Sequence, residues 1–410
     1  MFADWLENQK KGAVILSLYY LLILVGGACI GQLAIRAEII RSVIGVMLGL
    51  SVIILFRWEQ VVKSGLLKDP PFLLMFIFAV YASCLGFFYS YWDVVAHAGG
   101  LLVVFYVIYA SVMQFHMENI KTFYSTLNCI VFLYVITNII FLLFFPEKVL
   151  EGGVFSFHAD HPFMGLIHTS NSSADVLYVS CLLACCGLLH ICGSLSRVLA
   201  IFSVIVLLLL IFLSESRSAF FAMIFFIVSF VFYYLLFKNT KKVLTKKILL
   251  LIVIGGVLLY VRLSHFYPHF HLFDSALKGR PLIWRSVIGY TFSHNHYLFG
   301  FGLGRQDLVL QNFTFDSVYT KSHNTFIDIF VGTGLMGLVL FLIFWGTTLG
   351  YLLKWAFQKK SASFFFFLVA FITLTIHSFV ESYLINQLSP DLFAMILFYA
   401  LAKRNFQLGK

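Results

Sequence analysis

Charged residues are scarce in this sequence: Asp, Glu, Lys and Arg together make up only 11% of its 410 residues, whereas soluble globular domains carry about 25%. Apolar residues make up 61%, which exceeds the roughly 45–50% of such domains. No stretch is polar enough to form a separate soluble domain. The composition therefore excludes an ordinary soluble protein and predicts a single integral membrane domain over residues 1–410.

Proline occurs only seven times, always in loops or at the ends of apolar runs, so long uninterrupted helices are expected. The seven cysteines all lie in or at the ends of apolar runs, where cysteine behaves as a small buried hydrophobe. This placement argues against a disulfide or zinc framework, and redox chemistry is not expected.

The sequence is rich instead in apolar runs of the length that crosses a bilayer, about 20 residues each. Twelve such runs lie at 13–35, 39–56, 71–90, 94–115, 123–145, 173–191, 198–214, 218–237, 248–265, 325–353, 364–383 and 388–402. The predicted fold is therefore all-α, a polytopic integral membrane protein with about 12 transmembrane helices.

The basic residues are distributed unevenly between the two sides of this predicted membrane domain. If the N-terminus is cytoplasmic, 18 of the 28 Lys and Arg residues fall on the inner side, including the cluster between Lys238 and Lys247. Cytoplasmic loops carry an excess of Lys and Arg, so both termini are expected in the cytoplasm. This bias accounts for the net charge of +10, and no nucleic-acid partner is expected.

Two outer loops are long enough to hold a functional site, residues 146–172 and 266–324. The second lies between helices 9 and 10. Its segment 281–290 predicts an amphipathic helix on the membrane surface, because its proline suits a first helical turn and its Trp and Tyr suit the headgroup layer. The glycines of 300–304 predict a flexible turn, and those of 332–337 predict close helix packing.

Basic residues crowd into the outer segments, where cations are normally few, and so indicate an anionic ligand. Arg217 lies in a short connection between two apolar helices, where an unpaired arginine is costly; snorkelling to headgroups or pairing with Glu215 is the alternative. Arg280 directly precedes the 281–290 helix, so its guanidinium would add to the helix N-terminus as an anion site. Arg285 lies about 140° further round that helix and either contributes to the anion site or faces headgroups.

One histidine lies where a general base could act. His323 precedes the 325–353 helix, for which Ser322 is expected to be the N-cap. Neutral imidazole at a fixed position is a good general base near neutral pH, and a capping or interfacial role is the alternative. Asn324 and Glu381 are expected to face the outward cavity, with Glu381 as the reserve candidate for the base.

Other histidines and acids lead to weaker expectations. The segment His158-Ala159-Asp160-His161 could hold a metal, but no helix period brings its side chains together, so no metal site is predicted. The role of His158, His161 and His168 as a group stays open. Within or near the spans, His97, Asp175 and His377 are expected to line the cavity. Pairing inside the helix bundle is the alternative for these groups.

Four motifs, in this order, resemble the O-antigen ligase family, which shares its core with the O-antigen polymerases. They are Ser216-Arg217, Gly279-Arg280-Pro281-Leu282-Ile283-Trp284, Gly300-Phe301-Gly302-Leu303-Gly304, and Ser322-His323-Asn324 followed by Gly332, Gly334 and Gly337. The resemblance covers residues 210 to 340 well. The first 200 residues match only in helix count and hydropathy.

The resemblance implies a glycosyltransferase of the bacterial inner membrane, with a fold like that of the C-type glycosyltransferases and an active site facing the periplasm. It would transfer O-antigen glycan from undecaprenyl diphosphate to a sugar hydroxyl of lipid A-core in lipopolysaccharide biosynthesis, without a metal or cofactor. The implied partners are the lipid-linked glycan donor, the lipid A-core acceptor and membrane lipid. Carried over by motif, Arg217 and Arg280 would hold the diphosphate, with Arg285 as a further candidate, and His323 would activate the acceptor.

Other functions stay open on the sequence alone, including a protein O-glycosyltransferase as a more distant option. An O-antigen polymerase would use the same donor with a second lipid-linked glycan as acceptor, and only the arrangement of the large loop favours the ligase. A transporter for lipid-linked sugars would also have twelve helices and basic groups. It predicts paired repeats and midplane helices broken by Gly or Pro, and the sequence predicts neither.

Overall fold

The computed structural model describes residues 12–25, 28, 68–113, 117–150, 162–167, 170–190, 193–214, 216–237, 280–313, 322–382 and 389–408. Several predictions concern residues outside these ranges, among them those on the apolar runs 39–56 and 248–265, on the lysine cluster 238–247, and on the histidines at 158, 161 and 168. Within the described ranges the chain is helical apart from loops and one isolated bridge between Leu150 and Phe163. This confirms the predicted all-α class.

The described helices are α1 (Gly12–Val25), α2 (Pro70–Phe88), α3 (Trp92–Met113), α4 (Met117–Phe144), α5 (Pro146–Val149), α6 (Ser170–His190), α7 (Ser194–Leu213), α8 (Arg217–Phe237), α9 (Arg280–Ser293), α10 (Gln306–Leu310), α11 (Thr325–Lys359), α12 (Ala362–Ser378) and α13 (Pro390–Leu408). A 3-10 turn covers Gly165–Ile167.

Six of the described helices are long and apolar enough to cross a membrane: α2, α3, α4, α6, α7 and α11. Shorter apolar helices include α1 and α12. Their bounds follow the predicted apolar runs closely, and they confirm a polytopic membrane protein. The total of about 12 spans stays a prediction, because two of the runs lie outside the described residues.

The shortest predicted span, 388–402, forms the most enclosed part of the described structure. It makes up the first part of α13, in which every residue from Pro390 to Ala402 is buried. This helix packs against α3, α6 and α12. Since these residues have no side facing lipid, they can include an acid, Asp391, as long as neighbouring helices supply its partners.

An ion pair and a hydrogen bond fix the other end of α13. Lys403 Nζ lies 2.6 Å from Asp69 Oδ1, and Tyr399 donates its hydroxyl to the same oxygen at 2.8 Å. Asp69 is buried and immediately precedes α2. The pair therefore holds the end of α13 against the start of α2.

The structure departs from the prediction of unbroken helices in α11. Gly334 has a non-helical backbone conformation, with φ 67° and ψ −170°. In an unbroken helix, Leu335 N and Met336 N would donate to the carbonyls of residues 331 and 332. They donate instead to the carbonyls of Tyr297 (2.8 Å) and Leu298 (3.3 Å). A neighbouring loop thus enters the helix at the break.

The same loop satisfies the carbonyls that the break releases. Phe301 N donates to Val331 O at 2.9 Å, and Gly302 N donates to Gly332 O at 2.7 Å. Backbone groups in a membrane domain need such internal partners, because lipid offers none. The segment 297–302 is therefore hydrogen-bonded into α11 just beyond its first turns, and it includes part of the run 300–304 for which the sequence predicts a flexible turn.

A prediction concerns Gly334. Gly334→Ala should lower the stability of the folded protein by about 3 kcal/mol or more, because a side chain at positive φ is strained and its Cβ would collide with the backbone of Leu298 and Phe299. The measurement is thermal melting of the detergent-purified protein. Gly346→Ala in the same helix is the matched control, since its Cβ meets nothing within 4 Å. Equal melting temperatures for the two variants would contradict this account of the break.

Candidate active site

A single buried carboxylate lies at the centre of the candidate site. Glu381 is only 1% exposed and lies just beyond the end of α12. Its Oε1 is 2.7 Å from Arg280 Nη2, and its Oε2 is 3.0 Å from His323 Nδ1. One side chain therefore holds together the predicted anion-binding arginine and the predicted base, which are distant in sequence.

Arg280 is fixed at the N-terminus of α9. Besides Glu381, its guanidinium donates to the main-chain carbonyl of Val380. The side chain is 14% exposed, and a guanidinium has five N–H donors. Two bonds to the 380–381 segment thus orient the group and leave other donors for an anionic ligand beside the positive end of the helix dipole.

The backbone at His323 adopts an uncommon conformation. Its φ is 55°, in the left-handed region that non-glycine residues rarely occupy and that persists when the surroundings hold it. The preceding residue is held at both of its backbone groups. Ser322 N donates to Asp328 Oδ1 at 3.1 Å, and Ser322 O accepts from Trp284 Nε1 at 2.8 Å. The imidazole is thereby directed at Glu381 with its side chain 25% exposed.

The hydrogen bond at Nδ1 determines what the ring can do. When Nδ1–H donates to a carboxylate, the neutral ring carries its lone pair on Nε2, which is the form that accepts a proton. A carboxylate in that position also stabilises the imidazolium formed after proton transfer. The geometry of His323 and Glu381 is therefore that of a general base with an orienting acid.

The N-cap of α11 is Asn324, and the prediction of Ser322 as the cap is wrong. Asn324 Oδ1 accepts hydrogen bonds from the amides of residues 326 and 327, while its Nδ2 donates to Phe379 O at 2.9 Å. An amide side chain next to the helix start can supply both an acceptor and a donor, and a hydroxyl at Ser322 lies two residues before the cap position. Asn324, expected to face the cavity, is buried and uses its amide to join α11 to the segment after α12.

The start of α8 lies beside the same carboxylate. Ser218 Oγ donates to Glu381 Oε1 at 3.4 Å and lies 3.2 Å from Ser216 Oγ. Arg217, between these serines, is the first residue of α8, so its backbone lies at the site. The predicted role of its side chain lies outside what the structure describes, as does the alternative pairing with Glu215.

Arg285 does not join the described cluster around Glu381. The buried face of α9 consists of Ile283, Val287 and Thr291, and Arg285 is exposed on another side of the helix. The helical repeat that separates Arg285 from Arg280 by about 140° accounts for this difference. Its assignment as a diphosphate ligand stays a prediction without support from the geometry.

Comparison with known proteins identifies the central part of the chain. Residues 202–342 match the family model described as O-antigen ligase. This segment belongs to the O-antigen ligase family. The match spans about a third of the chain, contains Arg217, Arg280 and His323, and ends before Glu381. No curated protein matches the sequence.

The O-antigen ligase segment therefore contains the basic residues of the site, and the acid that organises them comes from outside it. Sequence reasoning placed Glu381 at the cavity as a reserve base, but it gave no sign that the carboxylate binds both Arg280 and His323. It missed Ser218 and the carbonyl of Val380. For Ser218 the only signal in the sequence was its position next to the predicted site residue Arg217. A backbone carbonyl such as that of Val380 has no signal in the sequence, because every residue has one.

The surroundings of Glu381 decide its charge. Burial opposes the charged carboxylate, but the hydrogen bond to His323 and the positive charges of Arg280 and His377 lower the pKa of Glu381 from its ordinary value. The carboxylate is thus ionised at neutral pH. Its folded-state pKa is depressed, so its contribution to stability is present above the unfolded-state pKa and is lost as pH falls through the folded-state pKa.

A prediction concerns this carboxylate. Glu381→Gln should destabilise the protein by about 3 kcal/mol, because it leaves the largely buried Arg280 without a counter-charge. The destabilisation should shrink as pH falls through the lowered pKa of Glu381, since a protonated carboxyl is uncharged like the amide. Melting temperatures at neutral and acidic pH measure both effects.

Asp93→Asn provides the control for that variant. Asp93 pairs with Arg305 at 2.8 Å, but its side chain is 59% exposed, so its loss should cost about 0–1 kcal/mol. Equal destabilisation by the two variants would contradict the charge assignment at Glu381. So would a decrease in the melting temperature of Glu381→Gln that is the same at neutral and acidic pH.

Proposed function

We propose that this protein transfers O-antigen glycan from undecaprenyl diphosphate to a sugar hydroxyl of lipid A-core on the periplasmic face of the bacterial inner membrane. The observation that supports this most directly is the bridge from Arg280 through Glu381 to His323. It combines an anion-binding group and a base within the reach of one carboxylate, and both basic residues lie in the O-antigen ligase segment.

The proposed reaction is a displacement at the anomeric carbon of the donor glycan. The acceptor hydroxyl oxygen forms a bond to that carbon as the bond from the carbon to the phosphate oxygen breaks. The hydroxyl proton passes to Nε2 of His323, and the electron pair of the broken bond leaves with undecaprenyl diphosphate. Glu381 stabilises the resulting imidazolium, and Arg280, with Arg217, stabilises the negative charge on the leaving diphosphate.

The proposal assigns no step to a metal or redox cofactor. A lipid diphosphate is a good leaving group, and arginine matches phosphate through two parallel N–H bonds. The arginines would then carry the charge that a divalent cation carries in other transferases. The proposed topology has both termini in the cytoplasm, with α9 and the start of α11 on the periplasmic side.

A prediction for the purified enzyme separates the base from the anion site. His323→Ala should slow transfer by about 10²–10⁴-fold, the usual effect of losing a general base, while donor binding changes little. Arg280→Ala should weaken donor binding by about 10-fold or more, since charge-assisted bonds contribute about 1.5–3 kcal/mol, and Arg280→Lys should restore it poorly. Transfer and donor binding are measured with a lipid-linked glycan and lipid A-core.

Arg285→Ala is the control for Arg280, because it removes the same charge from the exposed side of the same helix. It should transfer at nearly the normal rate. Thermal melting checks that Arg280→Ala remains folded. Loss of donor binding in His323→Ala with normal turnover would make His323 a phosphate ligand, and normal transfer by Arg280→Ala would remove the diphosphate assignment.

A deletion strain tests the choice of acceptor, with lipopolysaccharide analysed by gel electrophoresis. The ligase function predicts long glycan accumulating on undecaprenyl diphosphate and a lipid A-core without O-antigen. A core that carries a single repeat unit would make the protein an O-antigen polymerase instead. Unchanged lipopolysaccharide would overturn the proposed transfer.

A further inference from the structure

A second group of ionisable side chains is buried between three helices. Asp175 on α6, His377 on α12 and Asp391 on α13 are each at most 3% exposed. His377 Nε2 lies 3.2 Å from Asp175 Oδ1, and His377 Nδ1 lies 3.5 Å from Asp391 Oδ2. The two ring nitrogens thus face two different carboxylates.

This arrangement constrains the number of protons. A neutral imidazole has one N–H and one lone pair, so a neutral His377 would point its lone pair at a carboxylate oxygen. Both nitrogen–carboxylate contacts are attractive only when the cluster holds one proton more than a neutral imidazole and two carboxylates. The simplest such state is an imidazolium between two carboxylates. Two unbalanced carboxylates in this interior would be strongly unfavourable.

A metal ion is the alternative to a proton at this cluster. Asp175, His377 and Asp391 each offer one ligand atom, and these atoms lie within 4.8 Å of one another, so together they could supply the three protein ligands of an open zinc site. A proton satisfies both nitrogen–carboxylate contacts at once, whereas an ion can bind only one of the two ring nitrogens. The titratable groups around the cluster include Tyr178, whose ring centroid is 5.2 Å from that of His377, and Tyr20 on α1, which interacts with Asp391. Phenols are uncharged near neutral pH, so neither balances the carboxylates.

The cluster is linked directly to the candidate active site. His377 lies in the last turn of α12 and Glu381 follows four residues later, just beyond the helix end. The charge of His377 is one of the influences that keep Glu381 ionised. Asp175 on α6 and Asp391 on α13 hold the ring from two of the helices that pack on α12.

We propose that Asp175, His377 and Asp391 form a buried proton-holding cluster, in which an imidazolium is clamped between two carboxylates, and that its charge makes His377 a positioning residue for Glu381. The cluster keeps Glu381 ionised and therefore bound to Arg280 and His323. The link to transfer rests on the proposed function, whereas the charge state of His377 does not.

The charge state is tested on the membrane-embedded wild-type protein by nitrogen-15 NMR of its labelled histidines at about pH 8, where an ordinary histidine is neutral. The wild type should show a doubly protonated ring whose signal disappears in His377→Gln. Asp391→Asn keeps the side-chain size but removes one carboxylate, so the His377 ring should convert to its neutral form at lower pH than in the wild type. This variant also tests the proposal if His377→Gln does not fold. A neutral ring at His377 in the wild type would overturn the proposal. So would one equivalent of bound metal that is lost in His377→Gln.

The role in transfer is tested by the pH dependence of the rate. His323 must be neutral to accept the proton of the acceptor hydroxyl, so its protonation lowers the rate on the acidic side. His377→Gln removes a positive charge near the His323–Glu381 pair, and the pair then takes up a proton at higher pH. The acidic limb should therefore move to higher pH by about one unit, a tenfold change in proton concentration. If His377 had only a structural role, His377→Gln would lower the rate equally at all pH values and the acidic limb of the pH–rate profile would not move. That result would refute the positioning role.

His190→Gln is the matched control. His190 is a largely buried histidine on α6 that binds the carbonyl of Cys186 at 2.9 Å and stacks on Tyr124, so its loss removes a ring without removing an ion pair. The acidic limb should stay in place. If the wild type transfers no glycan from the lipid-linked donor, the proposed function fails while the NMR result still decides the charge of His377.

Discussion

The ionised carboxylate of Glu381 is the interaction on which the candidate site depends. It receives Arg280 from α9, His323 from the residues before α11 and Ser218 from the first turn of α8. A buried charge is strongly unfavourable unless it is paired and hydrogen-bonded. The three segments must therefore converge on one point, and the position of His323 relative to Arg280 follows from that requirement.

The backbone around this carboxylate is organised to keep it in place. Thr325 donates to the carbonyl of Glu381 at 2.9 Å, and Asn324 reaches the segment after α12 while capping α11. The break at Gly334 limits the first part of α11 to a short helix, which the loop 297–302 binds through its backbone. His323 therefore lies before a short, fixed helix, with its own backbone in a conformation that the surroundings must hold.

The same pairing rule applies to the other buried acids of the described structure. Asp69 binds Lys403, Asp328 accepts from Ser322 N, and Asp175 and Asp391 flank His377. Most of these pairs join helices or segments that are far apart in sequence. In a membrane protein, where apolar contacts between helices differ little from contacts with lipid, such pairs give the bundle its specific arrangement. The carboxylate of Glu381 differs because it binds two basic groups, His323 and Arg280, and both are partly exposed.

The sequence by itself determined the class of the protein and the chemical types of its site. Long apolar runs in lipid have only the helix as a stable backbone form, so α2, α3, α4, α6, α7 and α11 could be predicted from hydropathy. Arg280 and His323 could be singled out because the charge pattern predicts them on the outer side, where basic residues are normally few. What only the tertiary structure decided are the contacts between distant segments. The bridge through Glu381, the cap at Asn324, the break at Gly334 and the partners of His377 depend on which atoms meet after the helices pack. A hydropathy pattern records the burial of each residue but not the neighbour that buries it, and for that reason it did not show Asp391 beside His377.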